Sequence, residues 1–187
     1  MPTTSPATGV ATVAFHATRL GSLVLAATDD ALVLCCYGTA ETAAERLGRA
    51  GLAPVEPGEA GEAGAPGLKV LDEARAQIDE YLSGGRREFT VPVDLRLATP
   101  FSRRTNLALA EFVPYGRTAT YGQLAEALDR PRAARAVGTA LGTNPLCVVL
   151  PCHRIIGSTG SFSGYAGGPE AKRDLLALEA AGVASGH

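Results

Sequence analysis

Long hydrophobic runs are missing from this sequence of 187 residues. No apolar stretch approaches the roughly 18 residues that a membrane-spanning helix needs. The N-terminal MPTTSPATGV also lacks the basic start and the apolar stretch of a signal peptide. We therefore predict a cytoplasmic protein with no membrane partner.

Cysteine is scarce and poorly spaced for cross-linking. The four cysteines include the adjacent Cys35 and Cys36 and form no CxxC pair, which fits neither a disulfide framework nor a zinc site. His16 adds too few further ligands to the first half for zinc. We expect a reducing compartment and no bound metal.

Excess positive charge is absent from the chain as a whole. Its formal net charge of −2 argues against a protein coated in basic residues, as a nonspecific nucleic-acid binder would be. Between Phe101 and Ile155, however, seven arginines outnumber three acids, which gives a local net charge of +4. The arginines are residues 103, 104, 117, 130, 132, 135 and 154, and the acids are Glu111, Glu126 and Asp129. A local basic face is therefore expected.

The first half predicts a small α/β domain over residues 10–95. Two apolar runs, LGSLVLAA and ALVLCCY, flank the turn-forming residues 28–30, which indicates a β-hairpin of buried strands. Helices are predicted over 40–50 and 70–83, the second from an apolar stripe at helical spacing that stops at Gly84-Gly85.

Three other segments of the first half have compositions that predict their structure. Residues 1–9 form a Thr/Ser/Pro/Ala tail and residues 54–67 a Gly/Ala/Glu/Pro stretch, and both are expected to be flexible. FTVPVDL (89–95) predicts an edge strand, because Pro92 cannot donate to a strand ladder.

Residues 96–187 predict a mostly α-helical domain. Proline at the first helical position favours a helix over 100–112. TYGQ (120–123) has the form of a capping box that opens a short helix, and PRAARAVGTALG (131–142) predicts an Ala-rich helix capped by its final glycine. Two short helices joined by a few residues indicate a helix-turn-helix.

The chain beyond the helix-turn-helix contains the candidate nucleophile. CVVL (147–150) predicts a short buried strand that ends beside Cys152, and a final helix is predicted over 169–180. A cysteine is nucleophilic as its thiolate, which a base such as the adjacent His153 favours. Free cysteine is often simply a small buried hydrophobe, so the pair alone leaves both interpretations open.

A series of motifs resembles the O6-alkylguanine-DNA alkyltransferase family. The motifs are TYGQLA (120–125), AARAVG (133–138), Asn144-Pro145, PCHRII (151–156), GSFSGYAGG (160–168) and Lys172 with LLALE (175–179). The resemblance runs almost unbroken from Pro100 to Glu179, and HATRLGSLVLAATDDAL (16–32) is weakly similar to that family's N-terminal domain. It implies an α/β N-terminal domain and a mostly α C-terminal domain with a helix-turn-helix and an active-site cysteine.

The resemblance also implies catalytic roles. Cys152 would accept the alkyl group once and irreversibly, with His153 as a base acting through a water molecule and Glu179 orienting the histidine. Tyr121 would lie near the target guanine and donate a proton to the leaving base. Asn144 would brace the active-site turn and the thiol.

By the same resemblance, the partner would be double-stranded DNA that carries O6-alkylguanine, with O4-alkylthymine as a further candidate lesion, bound by a monomer without a cofactor. By resemblance, Arg135 would be the arginine finger that fills the stack after the base is flipped out. Small residues on the same helix would let it enter the minor groove. The DNA-binding residues would be Arg135, Tyr121, Ala133, Ala134 and Gly138. The substrate pocket would comprise Pro151, Tyr165, Ala166 and Lys172.

Three positions depart from the family's pattern. Asn106 stands where many relatives have tryptophan, Cys147 where some have proline and Ala166 where some have serine. Three alternatives stay open: a lesion-binding module without repair, a Cys-His-Glu hydrolase, and an alkyl acceptor with a different substrate.

Overall fold

The computed structural model describes residues 9–58, 65–162 and 164–185. Most of the predicted tail (1–9) and the centre of the predicted loop (54–67) lie outside these ranges. The prediction for the start of that loop is wrong, since Pro54 and Val55 belong to a strand and pair with Ala11 and Thr12.

Four strands of the first half form one sheet in the order β3-β2-β1-β4. The strands are β1 (Gly9–Thr18), β2 (Gly21–Ala27), β3 (Leu32–Tyr37) and β4 (Leu52–Val55). β2 and β3 pair in the predicted hairpin, β1 runs antiparallel to β2, and β4 runs parallel to β1. Neighbouring β2 residues point to opposite faces, so Leu23 and Leu25 join one hydrophobic cluster while Val24 and Ala26 join another.

Two helices cover the two faces of the sheet. α1 (Ala40–Arg49) buries Ala43 and Leu47 in the smaller cluster. α2 (Leu68–Leu82) packs in the larger cluster, which also contains Leu109, Leu124 and Leu175 of the second half. Both predicted helices are confirmed, and one hydrophobic core joins the two halves of the chain.

The edge strand predicted over residues 89–95 is wrong. Only a single bridge between Val93 and Leu32 forms there within the described residues. The backbone N–H groups of Thr90 and Val91 both donate to the side-chain oxygen of Gln77, and Pro92 has no N–H to donate. The segment therefore lacks the donors that a longer ladder would need.

The second half is mainly helical. Its elements are α3 (Pro100–Leu107), α4 (Leu109–Phe112), β5 (Ala119–Thr120), α5 (Tyr121–Ala127), α6 (Ala134–Gly142), β6 (Ile155–Ile156) and α7 (Gly168–Ser185). The capping box is confirmed, with Thr120 Oγ1 accepting from Gln123 N–H and Gln123 Oε1 from Thr120 N–H. None of the helices in the described residues is long and apolar enough to cross a membrane.

Both ends of α6 differ from the prediction. Ala133 N–H first bonds to Arg130 O in a tight turn, so the helix begins at Ala134 rather than at Pro131. Gly142 is the last helical residue and Thr143 is the C-cap, with its hydroxyl bonded to Thr139 O and Ala140 O.

Residues 147–150 form turns instead of the predicted strand. Val148 has a φ of 71°, and Leu150 N–H bonds back to Leu146 O at 2.8 Å. Two backbone hydrogen bonds of 2.7 Å attach the segment to β3, from Cys35 N–H to Pro145 O and from Cys147 N–H to Cys35 O. A compact loop that is hydrogen-bonded to β3 of the N-terminal sheet therefore leads into Cys152.

Candidate active site

Asn144 holds the loop around the candidate nucleophile. Its Nδ2 lies 3.2 Å from Cys152 Sγ and 3.2 Å from Leu150 O, and its Oδ1 accepts from Leu146 N–H at 2.9 Å. Asn144 is buried, and Cys152 is only 5% exposed. The Asn144 amide thus links the Cys152 thiol to both arms of the loop.

The surroundings of Cys152 favour its thiolate. A hydrogen bond from the Cys147 thiol is the main cause that lowers the pKa of Cys152. Burial opposes this shift, while the Asn144 amide and the Lys172 ammonium support it. The same hydrogen bond, together with burial, raises the pKa of Cys147. Of these two thiols, Cys152 is the one that ionises first.

His153 follows in the same 3-10 turn, Cys152–Arg154, and contacts Glu179 of α7. His153 Nε2 lies 2.7 Å from Glu179 Oε1, and both side chains are fully buried. A carboxylate only accepts hydrogen bonds, so Nε2 carries the proton and Nδ1 is the basic nitrogen. Nδ1 is buried and has no hydrogen-bond partner among the residues that the structure describes. Burial is the main cause of the lowered pKa of His153, and the neighbouring Glu179 opposes it.

Glu179 is the most highly connected side chain of the site. Its carboxylate accepts from Tyr81 Oη and from His153 Nε2, from Arg154 Nε at 3.0 Å, and from Gly116 N–H at 2.8 Å. Burial alone would raise the pKa of this carboxyl group, but the bonds and charges of His153, Tyr81 and Arg154 together lower it to about 2. Glu179 is therefore ionised at neutral pH.

Arg154 was assigned to the basic face, and the structure contradicts this. Its side chain is buried and bonded to Glu179 and to Val113 O. Its position within PCHRII (151–156), directly after Cys152 and His153, was the signal that could have placed it inside. The other six arginines of the segment are exposed.

Tyr81 was also missed, because it continues the apolar stripe of α2 and resembles an ordinary core residue. A buried tyrosine usually finds a partner for its hydroxyl, and that was the available signal.

The predicted pocket residues surround the thiol to different degrees. Pro151 is buried before Cys152, and Tyr165 is buried with its ring edge-on to His153 at 6.3 Å. Lys172 is buried and donates to Ile155 O at 2.6 Å. Ala166, by contrast, is exposed.

A surface groove of about 740 Å³ brings together four of the predicted DNA-binding residues. Tyr121, Ala134, Arg135 and Gly138 line it together with Gly157, Ser158 and Gly164. Ala133 is the N-cap of α6 and does not line it, and neither does Cys152. Tyr121 is half-buried and Arg135 is exposed. A Cβ added at Gly138 would lie 3.8 Å from the Tyr121 ring, which is an ordinary van der Waals contact.

The two other departures lie inside the protein. Asn106 is buried in α3 and its Nδ2 donates to Ser102 O at 2.9 Å and to Ala140 O at 3.4 Å, which ties α3 to α6. Cys147 is buried beside the active-site thiol, with its Sγ 3.7 Å from Asn144 O. In the described part of the chain, no cluster of three or more His, Cys, Asp or Glu side chains could hold a metal ion.

Comparison with known proteins identifies the second half. Residues 100–181 match the family described as 6-O-methylguanine DNA methyltransferase, DNA binding domain. The chain is 48% identical over 103 residues to the methylated-DNA–protein-cysteine methyltransferase of Mycolicibacterium paratuberculosis, a match that covers 55% of this chain and 61% of that protein. With the protein of the same name from Methanosarcina barkeri it shares 45% identity over 114 residues, 59% of this chain and 69% of the relative.

The structural comparison extends over both halves. The crystal structure of Mycobacterium tuberculosis OGT in complex with DNA superposes with a TM-score of 0.72 at 34% identity, covering 92% of this chain and 94% of that one. The predicted combination of an α/β N-terminal region and a helical C-terminal region with its cysteine is thereby confirmed. The chain belongs to the 6-O-methylguanine DNA methyltransferase family, the family that its motifs resemble.

Proposed function

We propose that this chain is a DNA repair protein that transfers an alkyl group from O6 of guanine in duplex DNA to Cys152 Sγ, once and irreversibly. Two side-chain pairs carry this proposal. Asn144 contacts the Cys152 thiol, whose pKa is lowered, and Glu179 contacts and orients His153 as the base. The names of its relatives, methylated-DNA–protein-cysteine methyltransferases, support the same reaction.

The proposed transfer is a direct displacement. The Cys152 proton passes through a water molecule to His153 Nδ1, and the thiolate attacks the alkyl carbon. The C–S bond forms as the bond from carbon to O6 breaks, and the electron pair stays on guanine. Tyr121 donates a proton to the departing base. Because a thioether has no good leaving group, Cys152 is not regenerated.

The proposed DNA contact uses the groove between α5 and α6. The alkyl group cannot meet a buried thiol while the guanine is stacked, so the base must be flipped out. Arg135 is exposed at the start of α6 and would fill the stack in place of the base. The other five exposed arginines of the segment would contact phosphates, which predicts binding that weakens with salt.

Incubation with a duplex containing O6-methylguanine, followed by intact-protein and peptide mass spectrometry, tests the reaction. We expect one methyl group per protein molecule, on the peptide that contains Cys152, and none with the unmodified duplex. DNA binding without transfer would favour the lesion-binding alternative. Repair of more than one lesion per molecule would favour a hydrolase-like mechanism.

We also propose that the chain acts as a cytoplasmic monomer without a cofactor. Its four cysteines are all free thiols, as is usual in a reducing compartment. Sedimentation of the protein with and without a short duplex tests the monomer, with a one-to-one complex as the expected result.

A further inference from the structure

We propose that Tyr81, which comes from the first half of the chain, is a positioning residue that holds the Glu179 carboxylate in place for His153. This inference rests on the proposed function, because it assigns Tyr81 to the proton-accepting part of the same site. Neither the sequence motifs nor the matched segment 100–181 contains this residue.

The Tyr81 hydroxyl contacts both the His153 imidazole and the Glu179 carboxylate. Its Oη donates to Glu179 Oε1 and lies 3.3 Å from His153 Nε2. Tyr81 is 1% exposed, so no bulk water competes for these contacts. The hydroxyl touches both members of the pair, and it reaches them from α2 rather than from α7 or the 3-10 turn.

Packing fixes the hydroxyl before any substrate binds. The Tyr81 ring contacts Phe89 at a centroid distance of 5.1 Å and meets the Tyr115 ring edge-on at 6.0 Å. A tyrosine held on two sides loses little further freedom when its hydroxyl bonds to a carboxylate. Such a residue can therefore set the position of Glu179.

The hydroxyl also adjusts the basicity of His153. Three donors share Glu179 Oε1, namely Tyr81 Oη, His153 Nε2 and Arg154 Nε. The hydrogen bond from the Tyr81 hydroxyl makes the Glu179 carboxylate a weaker acceptor for the His153 imidazole. Removing the hydroxyl should make Glu179 a stronger acceptor for His153 and should raise the pKa of the imidazole.

Several titratable or charged groups face His153, and only one of them changes in the test. Glu179 and Lys172 approach from α7, Arg154 and Cys152 belong to its own turn, Tyr165 comes from the glycine-rich loop, and Tyr81 comes from α2. Tyr81→Phe keeps every ionised group in this set. A shift in titration then reports the lost hydroxyl.

The experiment compares Tyr81→Phe with Tyr115→Phe. The Tyr115 hydroxyl has no hydrogen-bond partner among the described residues, so its removal changes the same ring cluster without touching the pair. The His153 ring is titrated by NMR without DNA, and the single-turnover rate of methyl transfer from an O6-methylguanine duplex is measured against pH. For Tyr81→Phe we expect the pKa of His153 to rise by about 0.5 to 1 unit and transfer below that pH to slow about three- to tenfold. Tyr115→Phe should match the wild type.

A second replacement tests the direction of the effect. Tyr81→3-fluorotyrosine keeps the shape of the ring and strengthens the hydroxyl as a donor, so the pKa of His153 should fall. An unchanged or oppositely shifted His153 titration in both variants would overturn the positioning role and leave Tyr81 as a packing residue. If the titration shifts as expected but the wild type accepts no methyl group from DNA, the proposed function fails and the positioning of His153 stands.

Discussion

The backbone N–H of Gly116 donates a 2.8 Å hydrogen bond to Glu179 Oε2, so the turn after α4 helps to hold the carboxylate that contacts His153. Gly116 has a φ of 75°. A Cβ at this position would lie 2.3 Å from Val183 Cγ2 and 3.2 Å from Glu179 O. The turn and α7 can approach this closely only because residue 116 has no side chain.

Gly116→Ala should therefore destabilise the protein and slow transfer together. Gly160→Ala is a matched control, because Gly160 has a φ of 80° but nothing lies within 4 Å of its added Cβ. We expect about 1 kcal/mol of destabilisation from backbone strain at Gly160 and about 2–4 kcal/mol at Gly116, where the displacement of α7 is added. Urea unfolding and single-turnover rates measure both effects. Equal losses of stability in the two variants would contradict the close-contact argument.

Cys147→Ala should slow transfer while leaving Cys152 as the acceptor. The Cys147 thiol is the main group that lowers the pKa of Cys152, so its removal should raise that pKa and leave less thiolate at neutral pH. The rate should recover as the pH rises. Cys36→Ala is the control, since Cys36 lies in the other hydrophobic cluster. A pH–rate profile like that of the wild type would show that the two thiols do not interact.

Glu179→Gln should remove a stabilisation that depends on pH. The pKa of Glu179 is lowered to about 2 from its ordinary value of 4.5, so its contribution to stability is fully present above about pH 4.5 and is lost as the pH falls towards 2. This shift in the pKa of Glu179 corresponds to about 3 kcal/mol of folding stability. Leaving Arg154 buried without its partner would cost a similar amount of folding free energy.

Urea unfolding of the wild type and of Glu179→Gln between pH 2 and 7 measures this effect. The difference between their free energies of unfolding should shrink towards zero at the acidic end. A difference that is constant over this range would mean that Glu179 is not ionised in the folded protein. Transfer by Glu179→Gln should also be slower than by the wild type at every pH at which the protein stays folded, because His153 loses its charged partner.

Arg135→Ala should reduce transfer from duplex DNA strongly and transfer from free O6-benzylguanine only slightly. In the proposed complex with duplex DNA, Arg135 would offset an unstacking cost of about a few kcal/mol, whereas a free base has no stack to leave. Arg132 is also exposed, and Arg132→Ala should weaken salt-dependent binding without changing the transfer rate at saturating DNA. Equal losses on both substrates in Arg135→Ala would show that Arg135 supports the pocket or the fold instead.

Local sequence signals predicted most of the helices and the hairpin, because they depend on neighbouring residues. The stripe of α2 and the Thr120–Gln123 capping box are determined within a few positions of the chain. The candidate catalytic residues were predicted from a resemblance, since 26 positions separate His153 from Glu179 and no local pattern connects them.

The wrong predictions have long-range causes. Gln77 takes the backbone donors of Thr90 and Val91, which a local pattern does not reveal. Residues 147–150 have the composition of a strand, but their attachment to Cys35 and the positive φ of Val148 make them a loop. Tyr81 reaches Glu179 across 98 positions, and its sequence context indicated only a core residue.

The two backbone hydrogen bonds between Cys35 and the loop before Cys152 bear on which part of the chain must be present for the site to fold. A fragment beginning at Thr99 would keep all the predicted catalytic side chains and every residue that the family model matches. It would lose β3, which is hydrogen-bonded to Pro145 and Cys147. It would also lose Tyr81 of α2, whose hydroxyl donates to Glu179. The segment that the family model matches is thus shorter than the stretch of chain that must fold together, and cutting the protein at that boundary would separate Cys152 from residues that hold its loop.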